Sequence, residues 1–404
     1  MSYIVKNLVI ELPKSPLPAG YATEGDEFTF FVSGPKPLEC DKYIIDGEAI
    51  VLSTGGNAAV HYGKGKFSYS TDCWALQPVE KDIEGKYLYY FLSSQIDRIN
   101  ALGFEGSGLK HLRKDFIRNY EVPDLSIPEQ SKIAEVLSKV DQAIEQTESL
   151  IAKQQRIKTG LMQDILTRGI DEHGNLRSEE THEFKDSPLG RIPVEWECKE
   201  LGDCAYITKL AGFEFTNYFD YKTGGEIIAL RALNIKHERL DLTDIQRLPK
   251  VVSDKLPRSK IFAGDILITY IGAYIGDVLR IEESDKYHLA PNIAKIVSGN
   301  RLHSDYLEIF LRSEAVQRQI RNLTAVTATP SLTMTQIRKL IIAFPKKKEE
   351  QERLTLRIRA MSKTINSVSS ELLKFRSLKT ALMQDLLTGK KRVTPLMKSK
   401  EVFS

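Results

Sequence analysis

The chain has 404 residues, 42% of them hydrophobic and 27% charged, with a formal net charge of +3; it is long enough for two or three domains with sizeable cores. A basic excess this small permits nucleic-acid binding without arguing for it. Cys40, Cys73, Cys198 and Cys204 form no CxxC pair, the N-terminal MSYIVKNLVIELPKSP lacks the apolar core of a signal peptide, and no apolar run approaches a membrane span. The expectation is a protein of the reducing cytoplasm with no metal site, no disulfide framework and no membrane partner.

In chain order, GEAIVLSTG (47–55) reads as a strand entering a glycine turn, and KYLYYFLSS (86–94) as a short helix. LKHLRKDFIRNYEVP follows and ends at Pro123. Then comes a heptad stripe: Ile133, Leu137, Val140, Ile144, Thr147, Ile151, Gln154, Lys158, Leu161 and Ile165. The polar stretch Arg168 to Pro193 has no periodicity and reads as a linker. The same order then recurs. GDILITYIG (264–272) is a strand and glycine turn, DYLEIFLRS (305–313) a short helix, and TPSLTMTQIRKLIIAFP runs to Pro345. A second stripe follows: Leu354, Ile358, Met361, Ile365, Val368, Leu372, Phe375, Lys379, Leu382 and Leu386. The tail after Gly389 is basic and expected to be mobile.

The two stripes end in nearly the same words, IKTGLMQDILTR (157–168) and LKTALMQDLLTG (378–389). A repeat of this length makes the chain two copies of one unit. Each stripe keeps 4,3 spacing without an internal proline, so each predicts a helix of roughly 40 residues, about 60 Å long. The stripe is too narrow for a globular core and suits a coiled-coil seam. The simplest partner for one helix is the other. The residues alone also admit a helix packed on its own domain, or pairing between two chains.

No motif for covalent chemistry is present. The sequence lacks a G-x-x-x-x-G-K-[ST] loop, a G-x-G-x-x-G, a G-x-S-x-G, an H-E-x-x-H and the [DN]-P-P-[YF] loop of amino-methyltransferases. GFEGSGLKH (103–111) has the wrong spacing for a phosphate loop. No catalytic residue is therefore assigned.

Two divergent globular units, each followed by a long helix ending in KTGLMQDILT or KTALMQDLLT, resemble the DNA-specificity subunit of type I restriction-modification systems. SPLGRIPVEWECKELGD (187–203) resembles the opening of a target-recognition domain in that family. EFTFFVSG, DGEAIVLSTGG and GKF resemble the early strands of the first such domain, and IPEQSKIAEVLSKVDQAIE the start of the central conserved helix. The first half lacks an I-P-x-x-W opening and is expected to begin abruptly. The resemblance implies an α+β fold: two mixed α/β target-recognition domains separated by an antiparallel intramolecular coiled coil, with a pseudo-two-fold internal repeat. The boundaries are 1–125 for domain 1, 126–168 for the central helix, 169–188 for a linker, 189–345 for domain 2, 346–389 for the distal helix and 390–404 for the tail. It also implies a non-catalytic subunit that reads an asymmetric split site on double-stranded DNA and docks two methyltransferase subunits. Restriction (motor-nuclease) subunits complete the complex. S-adenosylmethionine, ATP and Mg2+ then belong to those partners, and this chain binds no cofactor.

Readers of base edges should be Arg, Lys, Asn, His, hydroxyl and aromatic side chains on loops and strand ends. The first half offers Asn57, His61, Lys64 and Lys66 in GGNAAVHYGKGK, then Lys110, His111, Arg113 and Lys114 in SGLKHLRKD. The second half offers Lys209, Arg231, Asn234, Tyr270, Tyr274, Thr327, Thr329 and Ser331. Arg231 leads, because arginine is the commonest reader of guanine. Taken singly, each reads more readily as a solvated surface residue than as a reader, and Tyr270 equally as core. For partner docking the repeated Gln163 and Asp164, with Gln384 and Asp385, stand out against a capping or solvated role. Three other readings remain: the specificity component of a methylation-only system, a self-contained methyltransferase or nuclease, and a non-DNA coiled-coil scaffold.

Overall fold

The computed structural model describes residues 3–221, 224–236, 239–325 and 330–398. Two helices dominate, Ile127–Arg168 with 42 residues and Lys348–Leu386 with 39. At 1.5 Å per residue these are about 63 and 58 Å long. Glycines at positive φ stop or follow both, Gly169 at 69° and Gly389 at 70°, the left-handed C-terminal signal that a residue with a Cβ resists. The chain divides into two compact units, Met1–Ile151 with Val368–Ser404, and Ala152–Ser367, and each long helix contributes to both.

In the first unit the two helices pair antiparallel. Asp141 meets Lys379 at 2.7 Å and Glu148 meets Arg376 at 2.6 Å. The second unit brings Leu161, Met162, Ile165 and Leu166 of the first helix into one core with Leu354 and Ile358 of the second. All twenty predicted seam positions are buried or half-buried. Seam residue Lys379 is used rather than tolerated: its ammonium pairs with Asp141, whose other carboxylate oxygen accepts the Tyr90 hydroxyl at 2.7 Å.

The first unit's sheet has six strands in the order Val9–Glu11, Cys73–Pro78, Ile45–Ser53, Val60–Tyr69, Phe28–Phe31 and Leu38–Cys40. Strand alternation splits its core: Ile50, Leu52, Trp74 and Leu76 face the helix Gly85–Ser94, while Ala49, Val51, Cys73 and Ala75 face the other way. The second unit repeats the first four strands as Ala205–Lys209, Ile293–Ser298, Ile266–Thr269 and Val278–Arg280. The parallel pair Phe28–Phe31 with Phe67–Tyr69 likewise returns as Ile227–Leu230 with Tyr287–Leu289. One difference between the units splits the sheet. Strand Val60–Tyr69 is continuous, whereas its counterpart breaks at IEESDK, with Asp285 at φ 61°. One sheet in the first unit is therefore two in the second.

Two segments depart from the sequence expectation. The stretch 169–188 is not an open linker. Ile170 bridges to Leu176, Phe184–Ser187 forms a hairpin with Gly190–Pro193, and Arg177 is buried against Glu350. The tail is fixed as far as it is described. Arg392 pairs with Glu129, Val393 is buried, and Thr394–Lys398 is a short helix. These contacts are equivalent. In each unit the chain leaves one long helix and returns an arginine to the first turn of the other. The first unit's beginning is also less abrupt than expected: Ile4 bridges to Glu121, in the place where Trp196–Glu200 pairs with Ile341–Pro345.

The glutamates differ in exposure of their partners. Glu129 faces the exposed Arg392, whose hydrogen bonds hold its carboxyl down at about 2. Glu350 accepts from Arg177 Nη1 at 2.5 Å, Nη2 at 3.1 Å and Trp196 Nε1 at 3.1 Å, and both ion-pair side chains are over nine-tenths buried. Removing one member strands a buried charge. Glu350→Ala is expected to destabilise the second unit by about 3–5 kcal/mol in chemical denaturation, and a loss below 1 kcal/mol would refute the buried pairing.

Candidate nucleic-acid interface

Both units clamp a strand-end loop to a segment just before the long helix. In the first unit Gly55 bridges to His111, Gly56 N–H donates to the Lys110 carbonyl at 2.9 Å, and Leu112 N–H donates to the Thr54 carbonyl at 3.0 Å. In the second, Ile271 bridges to Ser331 and Leu332 N–H donates to the Tyr270 carbonyl at 2.8 Å. The clamp brings together stretches that sequence reasoning singled out separately. Asn57, Lys110, His111, Arg113 and Lys114 are all exposed. Arg113 leans on Glu105 at 3.6 Å and on the Leu102 carbonyl, and Lys114 lies 4.9 Å over the Trp74 ring.

Other first-half candidates sit elsewhere. Lys64 and Lys66 are exposed but lie within strand Val60–Tyr69, in register with Glu48 and Asp46. His61 is corrected outright. Strand alternation turns it inward, where it stacks on Phe31 at 5.2 Å and its Nε2 lies 3.0 Å from the Gly34 carbonyl. Burial pushes its pKa down and keeps the ring neutral. It is core rather than a reader.

In the second unit Arg231 and Tyr274 line one cavity of 420 Å³ together with Phe215, Tyr221, Gly272 and Asn292. Arg231 does not project freely: its Nη2 donates to Asp244 Oδ1 at 2.8 Å and to the Asp244 carbonyl at 2.9 Å. Asn234 is fully buried and also corrected. Its Oδ1 accepts the Arg231 N–H at 3.0 Å, while its Nδ2 donates to the carbonyls of Asp241 and Asp244 at 2.9 and 2.8 Å. A carboxamide is the side chain that can satisfy donor and acceptors at once. Tyr270 is corrected to core, 6% exposed, with Lys209 5.0 Å over its ring. Ser331 is half-buried at the clamp, and Thr327 and Thr329 lie outside the described residues. Sequence reasoning missed Asp244, which orients Arg231, and Asn292, at φ 73°; the Pro291-Asn292 pair was a readable turn signal.

Of the repeated helix-end residues, Gln163 and Gln384 are exposed. Asp164 lies 3.7 Å from Arg168, and Asp385 lies 2.5 Å from Lys391. No helix among the described residues is long and apolar enough to cross a membrane.

The family model for the type I restriction modification DNA specificity domain matches twice, over residues 32–154 and 193–372. The chain belongs to that family. A type I restriction enzyme MjaVIII specificity subunit from Methanocaldococcus jannaschii is 23% identical over 356 residues, covering 87% of this chain and 80% of that one. The EcoBI specificity subunit of Escherichia coli is 23% identical over 274 residues, 66% of this chain and 56% of that one. Among solved structures, the S subunit from M. genitalium aligns with a TM-score of 0.65 at 16% identity, over 96% of both chains. The two family matches correspond to the two repeats. Within each match the repeated parts are the frame, and the loops carrying Lys110 or Arg231 are where the repeats diverge.

Asn234 is then a support for the second domain's loops. Asn234→Ala takes the Asn234 partner from the Arg231 N–H and the Asp241 carbonyl and leaves the Asp244 carbonyl with Arg231 alone, which costs about 1–3 kcal/mol. The expected result is that loss in equilibrium unfolding, with protease cleavage appearing between 231 and 244. Unchanged stability would contradict the hub.

Proposed function

We propose that the chain is the sequence reader of a type I restriction-modification complex and acts in the cytoplasm. It reads a split, asymmetric site on double-stranded DNA, with one domain per half-site. The observation that carries this is the recurrence of one clamped-loop architecture with two different loop chemistries. Two copies of a frame with unlike loops suit two unlike half-sites. The exposed Gln163 and Gln384, repeated with their surroundings, suit docking of two copies of the same methyltransferase subunit. Catalysis belongs to those partners and to the restriction subunits, which use S-adenosylmethionine, ATP and Mg2+. This chain's residues bind and position.

Arg231 carries the most specific role. Asp244 holds its guanidinium where the side chain lines the cavity, so a contact made from there costs less entropy than one from a free side chain. The test is to co-express the chain with its methyltransferase subunit in a host free of other adenine methylation and sequence the DNA for modified bases. One split motif with methyl-adenine in each half is expected, and Arg231→Ala should relax one half alone, by about 1–3 kcal/mol of discrimination at one base pair. Absence of new methylation, with both proteins soluble and associated, would overturn the reading.

A further inference from the structure

Beside the first unit's clamped loop lies a cavity of 230 Å³ that takes in one of the reader candidates, Lys114. Leu12, Pro13, Cys73 and Trp74 form part of its lining, and Lys14, Thr54, Thr71 and Lys114 bring two ammonium groups and two hydroxyls to it. Thr54 is the residue whose carbonyl anchors the clamp. Lys114 is held over the Trp74 ring, which restrains its ammonium by cation–π attraction. Lys14 is exposed, in LPKSPLP, where prolines stiffen the chain.

The charges around the cavity have an asymmetry. Glu11, Asp72 and Asp115 stand near it in the chain, against Lys14, Lys114 and Arg118. Arg118 takes both Glu11, at 2.7 Å, and Asp115, at 2.9 Å, and Asp72 is exposed. Neither Lys14 nor Lys114 makes an ion pair among the described residues. Two cations with hydroxyl donors around a small cavity match an anion with several acceptor oxygens. The second unit has a related feature, Lys209 seated over Tyr270 beside its own clamp.

We infer that this cavity holds a backbone phosphate of the DNA, with Lys14 and Lys114 as its cations and Thr54 and Thr71 as hydrogen-bond donors. The inference rests on the DNA-reading function proposed above. Such a contact fixes the register of the duplex against the loop while carrying no sequence information. Lys114 is thereby a positioning residue rather than the base reader its sequence context implied.

The test measures affinity against salt for the complex of this chain with its methyltransferase subunits, by fluorescence anisotropy on a cognate and a scrambled duplex. Each phosphate charge contact contributes about 0.9 to the slope of log affinity on log salt. The Lys14/Lys114 double variant is expected to reduce the slope by about that amount and Lys14→Gln or Lys114→Gln alone by part of it, with both duplexes weakened by the same factor and the methylated motif unchanged. Lys→Arg variants should restore the slope. Lys139→Gln on the first long helix is the control and should not move it. An unchanged slope in the Lys14/Lys114 double variant would overturn the inference, as would a loss confined to the cognate duplex, which would make these residues base readers. If the unsubstituted complex binds no DNA, the function itself fails and the inference falls with it.

Discussion

A glutamine in the first turn of each long helix fastens the rest of the molecule. Gln130 Oε1 accepts the Glu84 N–H at 2.8 Å and Gln351 Oε1 accepts the His303 N–H at 2.8 Å; these are the N-terminal caps of the two short helices. The other end of each carboxamide donates to the carbonyl just before its own helix, Leu125 or Pro345, at 2.8 Å. Gln351 also reaches the Arg301 carbonyl at 2.9 Å, while Gln130 donates to the Tyr3 hydroxyl, which passes the bond to the Asp82 carbonyl. Both glutamines are fully buried. A buried carboxamide with all its partners fixes orientation as no apolar contact can, and with one missing it becomes a penalty. The neighbouring glutamate receives the arginine of the returning chain. Domain, helix and return segment are thus locked at one point in each unit.

That lock separates what must stay constant from what can change. The strand ladder and the loop clamp use main-chain hydrogen bonds, which tolerate substitution of side chains. The units can therefore keep one frame while one carries a continuous ten-residue strand and the other breaks it at Asp285. The loops lie apart from these ladders, so their side chains are exchangeable without disturbing the helices. A restrained loop also loses less entropy on binding than a free one. Function follows from this division. One frame recurs, and each copy carries its own loop set.

Much of the frame was legible in the sequence. Heptads, short amphipathic helices and strand-to-glycine turns carry period, and period survives divergence between the halves. The locks were not legible. Arg177 and Arg392 are single residues in aperiodic polar stretches, and nothing local marks one arginine among several as the partner of a helix-start glutamate. The site was half legible. Glycine punctuation in GGNAAVHYGKGK read as a loop, but Val60 to Tyr69 is a strand, so alternation sends His61 inward and leaves Lys64 and Lys66 outward. Asn234 looked like a reader because its residue type is one. Its role depends on the carbonyls of Asp241 and Asp244, and no sequence pattern announces where a loop will fold back.

The central claim is that each domain reads alone on a shared frame. The most direct measurement replaces residues 205–340 with the matching domain of a related chain, keeping Gln351, Glu350 and both long helices, and maps the methylated motif of the resulting complex. The account predicts that one half of the motif changes while the other half and the spacing persist. A change in both halves, or a shift in spacing, would contradict it.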